Sequence, residues 1–138
     1  MFDLFRNDDL GKLILRLSVG ILMLFHGVDK ILNPGSVDWI GGQLTGIGLP
    51  PEIAYGVYLG EVVAPLMVIL GVLTRLGGLI MVGNMVFAVV LVHLGEIFML
   101  TQNGGWQLET QGLFLFGSLA ILFLGAGRYA LMPDRPQE

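Results

Sequence analysis

The most constraining feature of this sequence is an apolar stretch, residues 53–73, that carries a single charged residue, Glu61. As a helix rising about 1.5 Å per residue, the stretch would extend roughly 31 Å, about the hydrocarbon thickness of a bilayer. A carboxylate in that layer is costly unless it faces protein or water. Pro65 lacks the N–H that would bond the carbonyl of Glu61, so a backbone acceptor is freed at the same residue. The fold must therefore satisfy both groups of Glu61 at membrane depth.

The composition is that of a small polytopic membrane protein rather than a soluble domain. Of the 138 residues, 54% are hydrophobic and only 13% are charged, and the mean hydropathy is +0.79. The formal net charge of −4 offers no basic surface for nucleic acid. The sequence contains no cysteine, which excludes disulfides, thiol redox catalysis and thiolate-held metal or iron–sulfur centres.

The apolar segments predict one all-α domain over residues 1–138, an integral membrane four-helix bundle. The predicted spans cover residues 13–32, 53–73, 76–97 and 108–126. The first is interpreted as mature structure rather than a signal peptide, because Arg16 interrupts it and no small-residue cleavage site follows. Residues 36–49 are too short and glycine-rich to span, but their apolar positions recur at helical spacing. This pattern predicts a short interfacial helix between helices 1 and 2.

The basic residues predict the orientation of the chain. Six fall on one side of the four-span topology, namely Arg6, Lys12, Arg16, Arg75, Arg128 and Arg135, and Lys30 alone falls on the other. By the positive-inside rule, both termini are cytoplasmic in a multi-pass protein of the plasma membrane, with the lipid bilayer as its environment. Arg16 lies close to the cytoplasmic face, where we expect it to snorkel.

On this topology the polar residues at membrane depth converge towards the outer face. They are predicted to line one outward-facing pocket, and comprise His26, Lys30, Glu61, His93, Glu96 and Glu109. A purely structural interpretation satisfies most of them, because a Lys30–Glu61 ion pair with nearby imidazole hydrogen bonds would neutralise the intramembrane charges. Asn84 is expected to bond across helices.

The same residues leave ligand binding open. His26 with Asp29, and His93 with Glu96, each have the i, i+3 spacing that places two side chains on one helix face. Together these four residues could hold a metal ion, and adding Glu61 and Glu109 gives an arrangement like that of di-metal carboxylate bundles, with the order of each pair reversed. Alternatively, the two histidines could ligate haem, or the pocket could bind a quinone or another small organic molecule. Catalytic residues are not assigned.

Short motifs along nearly the whole chain resemble the DoxX family of small bacterial membrane proteins. The matching pieces are His26-Gly27-x-x-Lys30, Gly48-x-Pro50, Glu61 followed by Gly71 and Arg75, His93, and Gly125-x-Gly127-Arg128-Tyr129. The resemblance implies a four-helix protein of the bacterial inner membrane. Some members are described as membrane subunits of quinone-linked sulfur oxidoreductases or as partners of oxidative-stress enzymes, so a quinone and a redox partner protein are implied as well.

Two hypotheses for the function follow. In the first, the protein is a membrane subunit or scaffold of a redox system, itself a non-catalytic part of an oxidoreductase. Glu61, Lys30 and His93 would then hydrogen-bond a quinone or relay its protons. In the second, it is a small proton-coupled transporter or channel component with Glu61 as the coupling site. For so short a chain, this would require a homo-oligomer or an inverted-repeat assembly.

Overall fold

A computed structural model describes residues 3–134 of the chain, so Arg135 of the basic set lies outside the described residues. A short 3₁₀ turn, Asp3–Phe5, comes first. Five helices follow, namely α1 (Asp8–Leu32), α2 (Gly35–Gly46), α3 (Pro51–Leu70), α4 (Thr74–Glu96) and α5 (Glu109–Leu124). Within residues 3–134 the only β pairing is an isolated bridge between Leu100 and Trp106. The all-α prediction is confirmed.

Three helices, α1, α3 and α4, are long and apolar enough to cross a membrane. The fourth apolar helix, α5, has 16 residues and would rise only about 24 Å. The predicted short helix between the first two spans is present as α2. Helix α1 starts before the predicted residue 13 because the Asn7 side chain accepts a hydrogen bond from the Leu10 N–H (3.0 Å) and caps it.

Neither α3 nor α4 is a regular α-helix throughout. In α3, a π turn covers Leu59–Val63, and the Ala64 N–H bonds the carbonyl of Leu59 instead of that of Gly60. In α4, a second π turn covers Val89–His93. Such turns insert a residue into a helix and are frequent at functional sites. Both π turns here contain a residue of the predicted pocket.

The long helices that follow one another in sequence pack together, and α1 also packs against α5. Helix α1 packs against α3 and α5, α4 packs against the same two helices, and α2 packs against the start of α3. The main hydrophobic core joins α1, α3, α4 and α5, and its buried residues are Val19, Met23, Ala64, Val68, Met81, Met85 and Ile121. A smaller core of Val37, Leu44, Ala54 and Val57 fixes α2 on α3.

The prediction that Arg16 snorkels is wrong. Its side chain is 1% exposed, and its guanidinium donates hydrogen bonds of 2.8–3.1 Å to four backbone carbonyls, those of Val68, Ile69, Ala126 and Tyr129. Two of these carbonyls belong to the last turn of α3, where they lack intrahelical partners and carry partial negative charge. Within residues 3–134, this buried cation is satisfied by backbone carbonyls rather than by a paired carboxylate.

The residues after α5 fold back over this end of the molecule. The N–H groups of Leu131 and Met132 donate to the carbonyls of Leu70 and Gly71 (3.0 and 2.9 Å). Arg75 pairs with Asp134, with 3.3 Å between Nη2 and Oδ2. Arg16 and the returning tail thus fasten α1, α3 and α5 together at the end opposite Lys30.

Candidate functional site: an ion pair between two cavities

The centre of the site is an ion pair between α1 and α3. Lys30 lies in the last turn of α1 and Glu61 lies in the π turn of α3, with 2.5 Å between Nζ and Oε1. The other carboxylate oxygen of Glu61 accepts a hydrogen bond from the Asn84 amide of α4 (3.3 Å). The side chains of Lys30 and Glu61 are only 19% and 9% exposed. The predicted ion pair is present, and three helices meet at Glu61.

Backbone groups near the ion pair also contact each other across the interface between α1 and α3. The carbonyl of Glu61 cannot bond Pro65, and it faces Gly27 of α1 so closely that a Cβ at Gly27 would overlap it. One turn earlier on α3, Tyr58 donates its hydroxyl to the carbonyl of Lys30 (3.3 Å). These contacts fix the end of α1 against α3 and hold Lys30 beside Glu61.

A large cavity of about 520 Å³ opens on one side of the pair, between α2 and α4. Its polar wall consists of Lys30, Ser36, Glu61, Asn84 and His93. The rest is mainly apolar and includes two aromatic rings, with Trp39, Ile40, Val57, Phe87, Leu91 and Val92 as its principal members.

A smaller cavity of about 150 Å³ lies on the other side of the pair, between α1, α4 and α5. It shares Lys30, Glu61, Asn84, Ala88 and His93 with the large cavity. The remaining wall is different and consists of Met23, His26, Met85, Thr110, Gln111 and Phe114. The ion pair therefore stands between two spaces of different character.

The structure brings together only part of the predicted pocket. Lys30, Glu61 and His93 line both cavities, whereas His26 lines only the small one, where its ring meets Phe114 edge-on (5.5 Å between centroids). Glu96 contacts the site through His93, since its Oε2 lies 3.0 Å from Nδ1 of that residue. Glu109 lies on neither cavity wall. It is exposed in the first turn of α5, with its carboxylate beside Gly105.

The structure does not assemble the predicted metal set of His26, Asp29, His93 and Glu96. Among the described residues, no three or more His, Asp or Glu side chains lie close enough to hold a metal ion. Asp29 is exposed, and its carboxylate accepts a hydrogen bond from Asn33 (3.0 Å) at the end of α1. The i, i+3 spacing correctly relates residues within one helix, but it does not determine whether two such pairs face each other.

The haem alternative is not supported either. Both histidines line the small cavity, and its volume of about 150 Å³ is well below the roughly 300–1,000 Å³ of usual ligand pockets. The space that the two histidines share is therefore small for a macrocycle held between them.

Sequence reasoning placed Asn84 between helices but not in the pocket. It bonds Glu61 and lines both cavities. In a regular α-helix, Asn84 and His93 would lie on opposite faces, because each residue turns the helix by about 100°. The π turn at Val89–His93 changes that register and brings both to one site. The available signal was that Asn84 is the only strongly polar residue inside its span before His93.

An all-helical fold with a paired lysine and glutamate among three apolar helices of spanning length defines a small helical membrane protein. The chain belongs to the DoxX family, whose model matches residues 11–94. The resemblance inferred from the motifs is thus confirmed.

Three curated proteins are similar over most of this chain. "Putative oxidoreductase CatD" of Bacillus subtilis is 29% identical, over 93% of this chain and 89% of the relative. An uncharacterized membrane protein of Mycobacterium tuberculosis is 32% identical, over 85% and 76%. An uncharacterized protein of Haemophilus influenzae is also 32% identical, over 85% and 84%. No solved structure matches the chain.

Proposed function

We propose that this DoxX-family protein is a four-helix bundle of the bacterial inner membrane that binds a quinone-like ligand in its large cavity, as the membrane subunit of a redox system. The observation that carries the proposal is the Lys30–Glu61 ion pair in the wall of a cavity that is otherwise mainly apolar and aromatic. The name of the Bacillus subtilis relative agrees with a redox role.

The size and lining of the cavity suit a small lipophilic molecule. Its volume of about 520 Å³ lies within the roughly 300–1,000 Å³ of small-molecule sites, which are usually apolar with a few placed polar groups. Trp39 and Phe87 offer faces on which a quinone ring can stack. Lys30, Ser36 and Asn84 offer hydrogen-bond donors for its carbonyl oxygens.

The charge balance of the site favours a neutral ligand. Because Lys30 and Glu61 compensate each other, the cavity wall carries no net charge from this pair. A neutral quinone could share the ammonium of Lys30 with Glu61 without leaving either group unpaired, whereas a bound ion would compete with one member of the pair. The charge balance therefore supports a neutral ligand over a charged one.

His93 is placed to serve the ligand's protons. Its ring lines the cavity while Nδ1 lies 3.0 Å from the Glu96 carboxylate, a contact that fixes the orientation of the ring. Electrons would be exchanged through the ligand with a redox partner protein.

Trp39 provides a direct test, because it lines the cavity and the chain has only one other tryptophan, Trp106. In a Trp106→Phe protein, the fluorescence of Trp39 should be quenched saturably by decylubiquinone or menadione. In a Trp39→Phe protein, quenching of Trp106 should rise linearly with quinone, since that residue reports only collisions in the micelle.

The matched site variant is the double substitution Lys30→Met with Glu61→Gln in the Trp106→Phe background. Removing both partners avoids the isolated buried charge that a single change would leave. Saturable quenching should be lost in this variant. Linear quenching of Trp39 that does not respond to the double substitution would refute the proposal.

A further inference from the structure

The small cavity gives Glu61 a second environment that quinone binding does not use. Glu61 accepts one hydrogen bond at each oxygen, from Lys30 and from Asn84. An ionised carboxylate has about four acceptor positions, so Glu61 retains capacity for further donors at membrane depth. Both cavities adjoin it, but they differ in what else they offer.

The wall of the small cavity supplies polar groups from a helix that does not reach the large one. Thr110 and Gln111 come from the first turns of α5, and His26 comes from α1. The large cavity is completed instead by Trp39 and the apolar residues of α2 and α4. Water is stable in a confined space when it finds two to four polar partners, and this wall provides them while remaining partly open, since His26 and Thr110 are exposed.

The volume agrees with water as the occupant. At about 30 Å³ per water molecule, a space of about 150 Å³ holds on the order of five. It is too small for the ring system and substituents of a quinone, which the large cavity can accommodate.

We infer that the small cavity is a hydrated chamber through which Glu61 exchanges protons with bulk water, separated from the ligand cavity by the Lys30–Glu61 pair. In this exchange, a hydronium ion in the chamber protonates the carboxylate and leaves a water molecule, and the reverse step returns the proton. The titratable groups that face Glu61 are Lys30 and His26 from α1 and His93 from α4. From α5 the chamber wall receives Thr110, Gln111 and Phe114, which do not titrate.

This inference rests on the proposed function only for the role of the chamber, which would be to supply or remove protons at the site where a quinone binds. The hydration of the chamber is a separate physical claim. It can be tested without any quinone, so failure of one claim does not imply failure of the other.

The test uses single cysteines in a chain that has none. Met23→Cys on α1 and Met85→Cys on α4 would place a thiol on the chamber wall, and Met81→Cys would place one in the core one turn away on α4. All three methionines are buried, at 2%, 6% and 0% exposure, so side-chain exposure alone does not separate them. The probe is sulfonatoethyl methanethiosulfonate, a charged reagent whose thiosulfonate sulfur is attacked by a thiolate in water, forming a mixed disulfide and releasing methanesulfinate.

Met23→Cys and Met85→Cys should react on the order of tenfold faster than Met81→Cys, because a thiolate forms only where water reaches the sulfur. The two reporters sit on different helices, so one folded variant suffices, and folding is checked by a monodisperse elution profile. Chamber cysteines as inert as Met81→Cys, or all three reacting alike, would overturn the hydrated chamber. Loss of saturable Trp39 quenching with this labelling pattern intact would overturn only quinone binding.

Discussion

Gly27 on α1 lies directly against the backbone carbonyl of Glu61 on α3, with no space between them for a side chain. The contact follows from Pro65, which cannot bond that carbonyl, and from the π turn around Glu61. Helix α1 can therefore approach the backbone of α3 this closely only at a glycine, which has no Cβ. This approach brings Lys30, three residues further along α1, to the carboxylate of the same glutamate.

Gly27→Ala should destabilise the protein by about 1–3 kcal/mol or more, because the added methyl group forces two backbones apart in a packed core. Thermal unfolding in detergent, followed by circular dichroism, measures the effect. Gly11→Ala is the matched control, since it lies on the same helix with nothing within 4 Å of its Cβ position. It should stabilise α1 by roughly 0.5–1 kcal/mol. Equal melting temperatures for the two variants would contradict the close approach.

Because Lys30 and Glu61 form an ion pair, we expect the stability effects of substituting the two residues not to be additive. Glu61→Gln alone should cost about 3–5 kcal/mol, because Lys30 remains charged and poorly exposed without its partner. Adding Lys30→Met should restore most of that loss, since no isolated charge remains. The two single variants and the double variant form a thermodynamic cycle in the same unfolding assay. A Glu61→Gln protein as stable as the wild type would show that the pair contributes nothing.

Much of the fold could be predicted from the sequence because the bilayer restricts it so strongly. Long apolar segments with few charges favour helices in a bilayer, so the three helices of spanning length and α2 followed from hydropathy and helical spacing. Glu61 and Lys30 stood out because charges at membrane depth need partners. The predicted ends of helices were less accurate where a capping side chain determines them. Asn7 caps α1, so this helix begins earlier than the apolar pattern suggests.

The errors arose from contacts that depend on tertiary structure. Arg16 is buried because the chain after α5 returns and offers it carbonyls, which no local pattern indicates. Asn84 and His93 reach the same site because the π turn at Val89–His93 changes the helix face on which His93 lies. The metal set failed because spacing within α1 and within α4 says nothing about the rotation of one helix relative to the other.

Arg16→Lys should destabilise the protein by about 3 kcal/mol or more, because hydrogen bonds from charged donors contribute roughly 1.5–3 kcal/mol each. Lysine carries one compact ammonium and cannot reproduce the planar fork that reaches four carbonyls. Arg6→Lys is the control at an exposed position, where we expect a change within about 0.5 kcal/mol. If both variants melt like the wild type, Arg16 does not fasten the returning tail.

The topology predicts which side of the membrane reaches the loop between α4 and α5. If both termini are cytoplasmic, as the basic residues predict, Asn103→Cys in that loop should react with an impermeant maleimide added outside intact cells. Asn103 is exposed and avoids the left-handed backbone of its neighbour Gly104. Asp3→Cys, near the N-terminus, should react only after the cells are opened. If the two positions show the reverse labelling pattern, the predicted orientation of the protein in the membrane is wrong.

The two histidines should differ in their effect on quinone binding, because only one of them lines the large cavity. In the Trp106→Phe background, His93→Ala should weaken the saturable quenching of Trp39 by decylubiquinone roughly tenfold, which corresponds to the loss of one hydrogen bond of about 1.4 kcal/mol. His26→Ala should leave that affinity unchanged, since His26 faces the small cavity and Phe114. Both variants should keep the wild-type elution profile, because neither imidazole belongs to the hydrophobic core. An equal loss of affinity in the two variants would mean that the two cavities act as one, and no loss in either would remove His93 from the binding site.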